Sequence, residues 1–210
     1  MRPIVKVCGM RDAGNIREAE SLGIGLMGFI FWPGSARCVT RRPEYLPTGC
    51  GRVGVFVNED IAQVRRTAEE YGLSYIQLHG SESPEYVAAL REWKVIKAFC
   101  IATAADLEQT KAYEGVADRF LFDTKGRSAG GNGVQFDWDL LAGYHGSTPF
   151  LLSGGIGPGD AARLSAWHHD RCIGYDINSR FELEPGLKDI EKIRKFIADI
   201  TTDEQDKRPL

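Results

Sequence analysis

Residues 53–80 read VGVFVNEDIAQVRRTAEEYGLSYIQLHG, and the fold is decided there. The stretch opens on an apolar run, Val53-Gly54-Val55-Phe56-Val57, that breaks at Asn58. It closes on a second, Tyr75-Ile76-Gln77-Leu78, that breaks at His79-Gly80. Short runs rich in β-branched and aromatic residues, set beside Asn, Asp, Gly or His, read as buried strands. Between them Ile61, Val64, Ala68 and Tyr71 recur at helical spacing and mark one face of an amphipathic helix. Strand, helix and strand in succession call for parallel pairing through a right-handed crossover.

Working outward, the pattern repeats. Runs of the same kind occupy Ile4–Cys8 and Leu26–Phe31 on one side, and Val95–Phe99, Phe120–Phe122, Phe150–Leu152 and Ile173–Ile177 on the other. A helix is expected over Pro84–Trp93, capped by Ser83 with proline at its first position. A last one presents Ile190, Ile193, Phe196, Ile197 and Ile200 on one face. Eight such units either close into a (βα)8 TIM barrel or stay open as a doubly wound sheet. The count of eight favours the α/β barrel of eight parallel strands with outer helices, although 210 residues is at the short end. No linker or low-complexity stretch interrupts the chain. The expectation is one domain over residues 1–200 and a frayed polar tail over 201–210.

Composition excludes several classes of function. Apolar residues make up 43% and charged residues 26%, ordinary for a soluble globular protein. A net charge of -3 argues against a general nucleic-acid binder. Five cysteines, Cys8, Cys38, Cys50, Cys100 and Cys172, are odd in number and widely spaced, with no C-x-x-C pair. That suits free thiols in a reducing compartment and disfavours a disulfide framework or a zinc site. The first residues carry no apolar stretch long enough for a signal peptide, and no run approaches the roughly 20 apolar residues of a membrane helix. The expected location is cytoplasmic, with no membrane partner.

In a barrel, catalytic side chains project from the C-terminal ends of the strands. Those ends are repeatedly polar here: Lys6-Val7-Cys8-Gly9, Phe56-Val57-Asn58, Gln77-Leu78-His79-Gly80, Phe122-Asp123-Thr124-Lys125, Ser153-Gly154-Gly155 and Asp176-Ile177-Asn178-Ser179. Glycine-rich stretches follow the sixth strand (Gly130-Gly131-Asn132-Gly133) and the seventh (Gly154-Gly155). Glycine lets backbone N–H groups approach an anion closely, and loops after the last two strands commonly hold phosphate in this fold. An ordinary turn is the competing reading of each stretch.

These segments, in this order, together with Val53–Asn58, Phe136-Asp137-Trp138 and Pro185-Gly186-Leu187-Lys188-Asp189, resemble the phosphoribosylanthranilate isomerase family of tryptophan biosynthesis. The resemblance spans Val5 to about Phe196. It implies an Amadori rearrangement of a small phosphorylated aminosugar: an acid protonates the furanose ring oxygen as the ring opens, and a base removes the C2 proton of the Schiff base. No net redox change occurs, so no cofactor is expected. The resemblance makes Cys8 the base and Asp123 the acid, on strands one and six across the barrel mouth. A cation near Cys8 would favour its thiolate, and burial or a nearby phosphate or carboxylate would keep Asp123 protonated. Arg37 is implied to grip the anthranilate carboxylate through two parallel hydrogen bonds. His79 and Asp176 are placed with the substrate. Gly154, Gly155, Asn178 and Ser179 are placed with its phosphate.

From the residues alone, blander readings stay open. Cys8 reads equally as a small buried hydrophobe, Asp123 as a cap after its strand, and Arg37 as a solvated charge. His79 with Gln77 reads as a satisfied core pair, and Asp176 as a structural cap. Lys6, two residues before Cys8, points to the same face and is expected to pair with a barrel carboxylate. The chain departs from the family pattern at Arg180, where glycine is usual, and at Asn132, where a small hydroxyl residue is usual. Indole-glycerol-phosphate synthase, the related barrel, would place a lysine at the end of strand one, and a pentose-phosphate epimerase would need metal ligands. A non-catalytic phosphosugar-binding barrel could dispense with Cys8 or Asp123, and this chain has both. Whether it is a monomer or a homodimer is left open.

Overall fold

The computed structural model describes residues 2–124 and 137–206. Its elements in chain order are β1 (Ile4–Cys8), α1 (Ala13–Ser21), β2 (Leu26–Ile30), β3 (Gly51–Phe56), α2 (Ile61–Tyr71), β4 (Tyr75–Leu78), α3 (Pro84–Ala88), β5 (Lys94–Ile101) and β6 (Arg119–Thr124), then β7 (Phe150–Leu152), α4 (Ala161–Ala166), β8 (Cys172–Ile177), β9 (Glu182–Glu184), β10 (Leu187–Lys188) and α5 (Ile190–Asp206). Strands β1 to β8 pair in sequence order, all parallel, and β8 pairs back onto β1, so the sheet closes into the expected barrel. β9 and β10 form a separate antiparallel hairpin.

Side chains alternate across the sheet and sort the core into two layers. Leu26, Val53, Ile96, Ala98, Leu121 and Leu151 fill the barrel interior. Val7, Met27, Phe29, Phe56, Ile76, Phe120 and Phe150 face outward and pack under the helices with Ile16, Val64, Ile193 and Phe196. Toward the mouth a third small cluster, Cys8, Ile30 and Val55, floors the pocket.

The outer layer is less regular than eight repeats suggest. α2 matches its expected span, with Asp60 accepting from Ala62 and Gln63 N–H and Gly72 closing it in the left-handed region. The helix expected over Pro84–Trp93 starts as predicted, on a Ser83 cap, but α3 ends at Ala88. The chain then tightens through i→i−3 bonds at Leu90 and Trp93 to bring β5 into line. No helix joins β2 to β3; that connection holds Pro33, Gly34, Pro43, Pro47 and Gly49, which break helices. Short 3-10 segments at Ala104–Tyr113 and Trp138–Gly143 stand where helices would follow β5 and β6. α5 runs through Asp206, past the boundary expected after residue 200, since neither glycine nor proline interrupts it before Pro209. Among the described residues no helix is long and apolar enough to cross a membrane. The Gly130–Gly133 stretch, Asn132 included, lies outside the described residues.

Candidate active site

Cys8 ends β1 at an inward position and is buried. Its register partner on β2 is Gly28, where a Cβ would come within 2.7 Å of the Cys8 sulfur, so the glycine makes room for the thiol. One turn of the pleat below, Lys6 is fully buried and its Nζ lies 2.7 Å from Asp176 Oδ1. The two are register partners across the β1–β8 seam. Ser153 donates to the other Asp176 oxygen at 3.3 Å. Lys6 is therefore the interior charge foreseen from its parity, and Asp176 is its carboxylate. Burial opposes the charge on Lys6, but Asp176 and Cys8 outweigh it and raise its pKa. Burial likewise pushes the Cys8 thiol up; Lys6 and Lys188 oppose that push and supply the cations that favour thiolate.

Asp123 ends β6 on the facing wall, buried to all but 7%. Its Oδ1 accepts from Thr124 N–H at 2.8 Å, and its Oδ2 lies 3.4 Å from His79 Nε2. The group beside the expected acid is thus a histidine, neither a phosphate nor a carboxylate. Burial pulls the His79 pKa down, but Asp123 and Cys100 outweigh it and raise it to about 9. A protonated His79 needs an acceptor at Nδ1. Gln77 Nε2 lies 3.3 Å from that atom while Gln77 Oε1, also buried, has no hydrogen bond. A half-turn of the amide supplies the acceptor, because the two ends of a carboxamide are alike in shape.

Gly154 (φ +86°) and Gly155 (φ +67°) are consecutive left-handed residues after β7. Glycine adopts this conformation without steric cost. A Cβ on Gly154 would also lie 2.6 Å from Thr124 N and 3.2 Å from Asp123 Oδ1, so the glycine lets the ends of β6 and β7 meet. Opposite, Ser179 opens a 3-10 turn whose Phe181 N–H bonds Asn178 C=O. The Asn178 side-chain oxygen accepts from Lys188 Nζ at 2.7 Å. Arg180 is exposed, and its stem lies along Gly157, where a Cβ would meet Arg180 Cδ at 3.0 Å.

Arg37 follows β2 and is bound side-on to Glu182: Nε donates at 2.9 and 3.0 Å and Nη2 at 2.7 Å. Its stem crosses over Gly9 (φ +80°), where a Cβ would lie 2.8 Å from Arg37 Cδ. The Cys-Gly pair at the end of β1 thus places the thiol and seats the arginine stem side by side.

One pocket at the C-terminal mouth of the barrel is lined by all nine sequence-predicted residues: Cys8, Arg37, His79, Asp123, Gly154, Gly155, Asp176, Asn178 and Ser179. Gln77 and Ser153 join them, and Ile30, Trp32, Val55 and Ile156 form apolar walls. Those walls were not singled out from the sequence, although Trp32 follows directly on the Leu26–Phe31 run. Nor was Glu182, whose only signal is an acidic residue four positions beyond Asn178. Among the described residues no group of three or more His, Cys, Asp or Glu side chains is placed to hold a metal ion. The arrangement presents a thiol and a carboxyl group on opposite walls, a guanidinium from the segment after β2 and a glycine pair after β7.

A family model described as N-(5'phosphoribosyl)anthranilate (PRA) isomerase matches residues 5–199. The chain is 50% identical over 196 residues to N-(5'-phosphoribosyl)anthranilate isomerase of Phocaeicola vulgatus, covering 92% of this chain and 96% of that one. Among solved structures it resembles phosphoribosyl anthranilate isomerase from Thermus thermophilus, with a TM-score of 0.81, 31% identity, and 95% and 98% of the two chains covered. A phosphoribosyl anthranilate isomerase solved with reduced 1-(o-carboxyphenylamino)-1-deoxyribulose 5-phosphate is also similar, with a TM-score of 0.80, 29% identity, and 95% and 99% covered. Mouth residues and whole-chain likeness agree: this chain belongs to the N-(5'-phosphoribosyl)anthranilate isomerase family.

Proposed function

We propose that this chain catalyses the Amadori rearrangement of N-(5'-phosphoribosyl)anthranilate to 1-(2-carboxyphenylamino)-1-deoxyribulose 5-phosphate, with Asp123 as acid and Cys8 as base. The observation that carries the assignment of roles is the placement of these two groups on β6 and β1, facing one pocket. Asp123 gives its proton to the furanose ring oxygen as the bond from C1 to that oxygen breaks, leaving a Schiff base. Cys8, as thiolate, takes the C2 proton, and the resulting enolamine tautomerises to the ketone. His79, protonated beside Asp123, holds a proton within reach of the acid. Lys6 and Lys188 lower the cost of the Cys8 thiolate.

The substrate's two anionic ends suit the two ends of the pocket. The aromatic carboxylate goes to Arg37 with the ring against Trp32, and the phosphate goes to backbone N–H groups near Gly155 and Ser179. The compound held by the solved relative carries both groups, which supports this placement. We place the enzyme in the cytoplasm, a compartment suited to its five unpaired thiols.

The test is the loss of substrate fluorescence with freshly generated phosphoribosylanthranilate. Wild type turns the substrate over, and Cys8→Ser does not, because a hydroxyl ionises far less readily than a thiol. Activity of Cys8→Ser above about a tenth of wild type, with an unchanged circular dichroism spectrum, removes Cys8 from the base role.

A further inference from the structure

Arg37 is oriented by a group that does not line the pocket. A guanidinium offers two hydrogen-bonding edges, one of Nε with one Nη nitrogen and one of the two Nη nitrogens together. Glu182 occupies the first edge completely, through the three bonds to Nε and Nη2. Arg37 Nη1 makes no hydrogen bond among the described residues, so the second edge is open.

Glu182 is itself tightly seated. Its Oε1 also accepts from Lys188 Nζ at 2.5 Å and from Gly186 N–H at 3.0 Å. Lys188 is almost wholly buried, and its backbone is bonded in both directions by the Asn15 amide of α1, at 2.7 and 2.9 Å. The β9–β10 hairpin is thereby fastened to the barrel with its carboxylate aimed at Arg37. Charge matters as well as geometry. Glu182 alone would neutralise Arg37, whereas Arg37, Glu182 and Lys188 together carry one net positive charge. Arg37 and Lys188 hold the Glu182 pKa down against burial, so the carboxylate stays charged.

We propose that Glu182, backed by Lys188, is a positioning residue that presents the open Nη1/Nη2 edge of Arg37 to the pocket and so selects substrates bearing a planar carboxylate. The proposal rests on the assignment of Arg37 to the substrate carboxylate made above. Freed from Glu182, the guanidinium would rotate on its stem and present neither edge consistently.

The experiment compares wild type, Glu182→Gln and Arg37→Ala for turnover and for binding of two product analogues. Both are reduced N-aryl-deoxyribulose phosphates, one with a 2-carboxyphenyl and one with a plain phenyl group. Wild type should prefer the carboxylated analogue. Glu182→Gln should lose about tenfold of that preference, as for one charge-assisted hydrogen-bonded contact, with KM raised and kcat within about threefold. Arg37→Ala should lose the preference, and the double variant no more than Arg37→Ala alone. Equal weakening of both analogues, or an unchanged preference in Glu182→Gln, overturns the proposal. If Glu182→Gln does not fold, Glu182→Asp reads the same ratio, and a wild-type preference there overturns it too. Wild type that turns over phosphoribosylanthranilate without preferring the carboxylated analogue overturns both this proposal and the Arg37 assignment. Absence of turnover in wild type is the distinct result that removes the isomerase reading itself.

Discussion

Cys8 and Asp123 each stand beside cationic groups. Two buried lysines stand near the thiol, and a histidine that holds its proton stands 3.4 Å from the carboxyl group. Asp123→Asn removes the transferable proton and keeps the shape, so kcat should fall about 10²–10⁴-fold while analogue affinity changes much less. Affinity falling in step with kcat would make Asp123 a binding residue. The histidine carries a pH signature of its own. His79 holds its proton to about pH 9 when folded, against an ordinary value of 6.5. A pKa raised by folding stabilises the fold fully below the unfolded value, and the contribution is lost as pH rises through the folded one. Stability should therefore decline between pH 6.5 and about 9 in wild type, and less steeply in His79→Asn. Denaturant midpoints across that range measure it. Parallel slopes in the two proteins would mean that His79 folds uncharged.

At the scale of elements, the loops after β7 and β8 carry the proposed phosphate site. Gly155 has φ +67°, which side chains rarely adopt. Gly155→Val should raise KM strongly, with inorganic phosphate losing its ability to inhibit. Arg180→Gly, which removes a side chain lying along Gly157, should leave KM little changed if backbone groups do the binding. A large loss in Arg180→Gly would place phosphate recognition on the arginine. Elements also differ in how far sequence announces them. α2 was legible through its apolar face, Ile61 to Tyr71, while its Asp60 cap and closing Gly72 came only with the structure. α3 stopped short of its predicted end, since the need to deliver β5 into register overrode local helical spacing.

At the scale of the molecule, the barrel closes where β1 meets β8, and a buried ion pair spans that seam. Lys6 and Asp176 lie directly opposite each other, 2.7 Å apart, Lys6 fully buried and Asp176 nearly so. Lys6→Met leaves the Asp176 carboxylate without its cation, which should cost roughly 3–5 kcal/mol of stability in urea unfolding. Lys6→Met with Asp176→Leu should recover much of that loss, because no lone charge remains buried. A double variant as unstable as the single one would show that the pair acts through packing, not charge.

The order of eight apolar runs, with polar residues at their ends, is a local property of the chain, and it was enough to favour the barrel over an open sheet and to place Cys8 and Asp123 at strand ends. Hydrophobic burial with a period of two settles which side chains face inward before any long-range contact is known. The partners of those side chains were not legible. Lys6 meets Asp176 across 170 positions, and Arg37 meets Glu182 across 145. His79 was visible as a polar strand end, but its pairing with Asp123 depends on β4 and β6 converging on one mouth. Parity says which way a residue points. Only closure of the sheet decides what it meets, because the register between distant strands is set by the packing of the whole barrel.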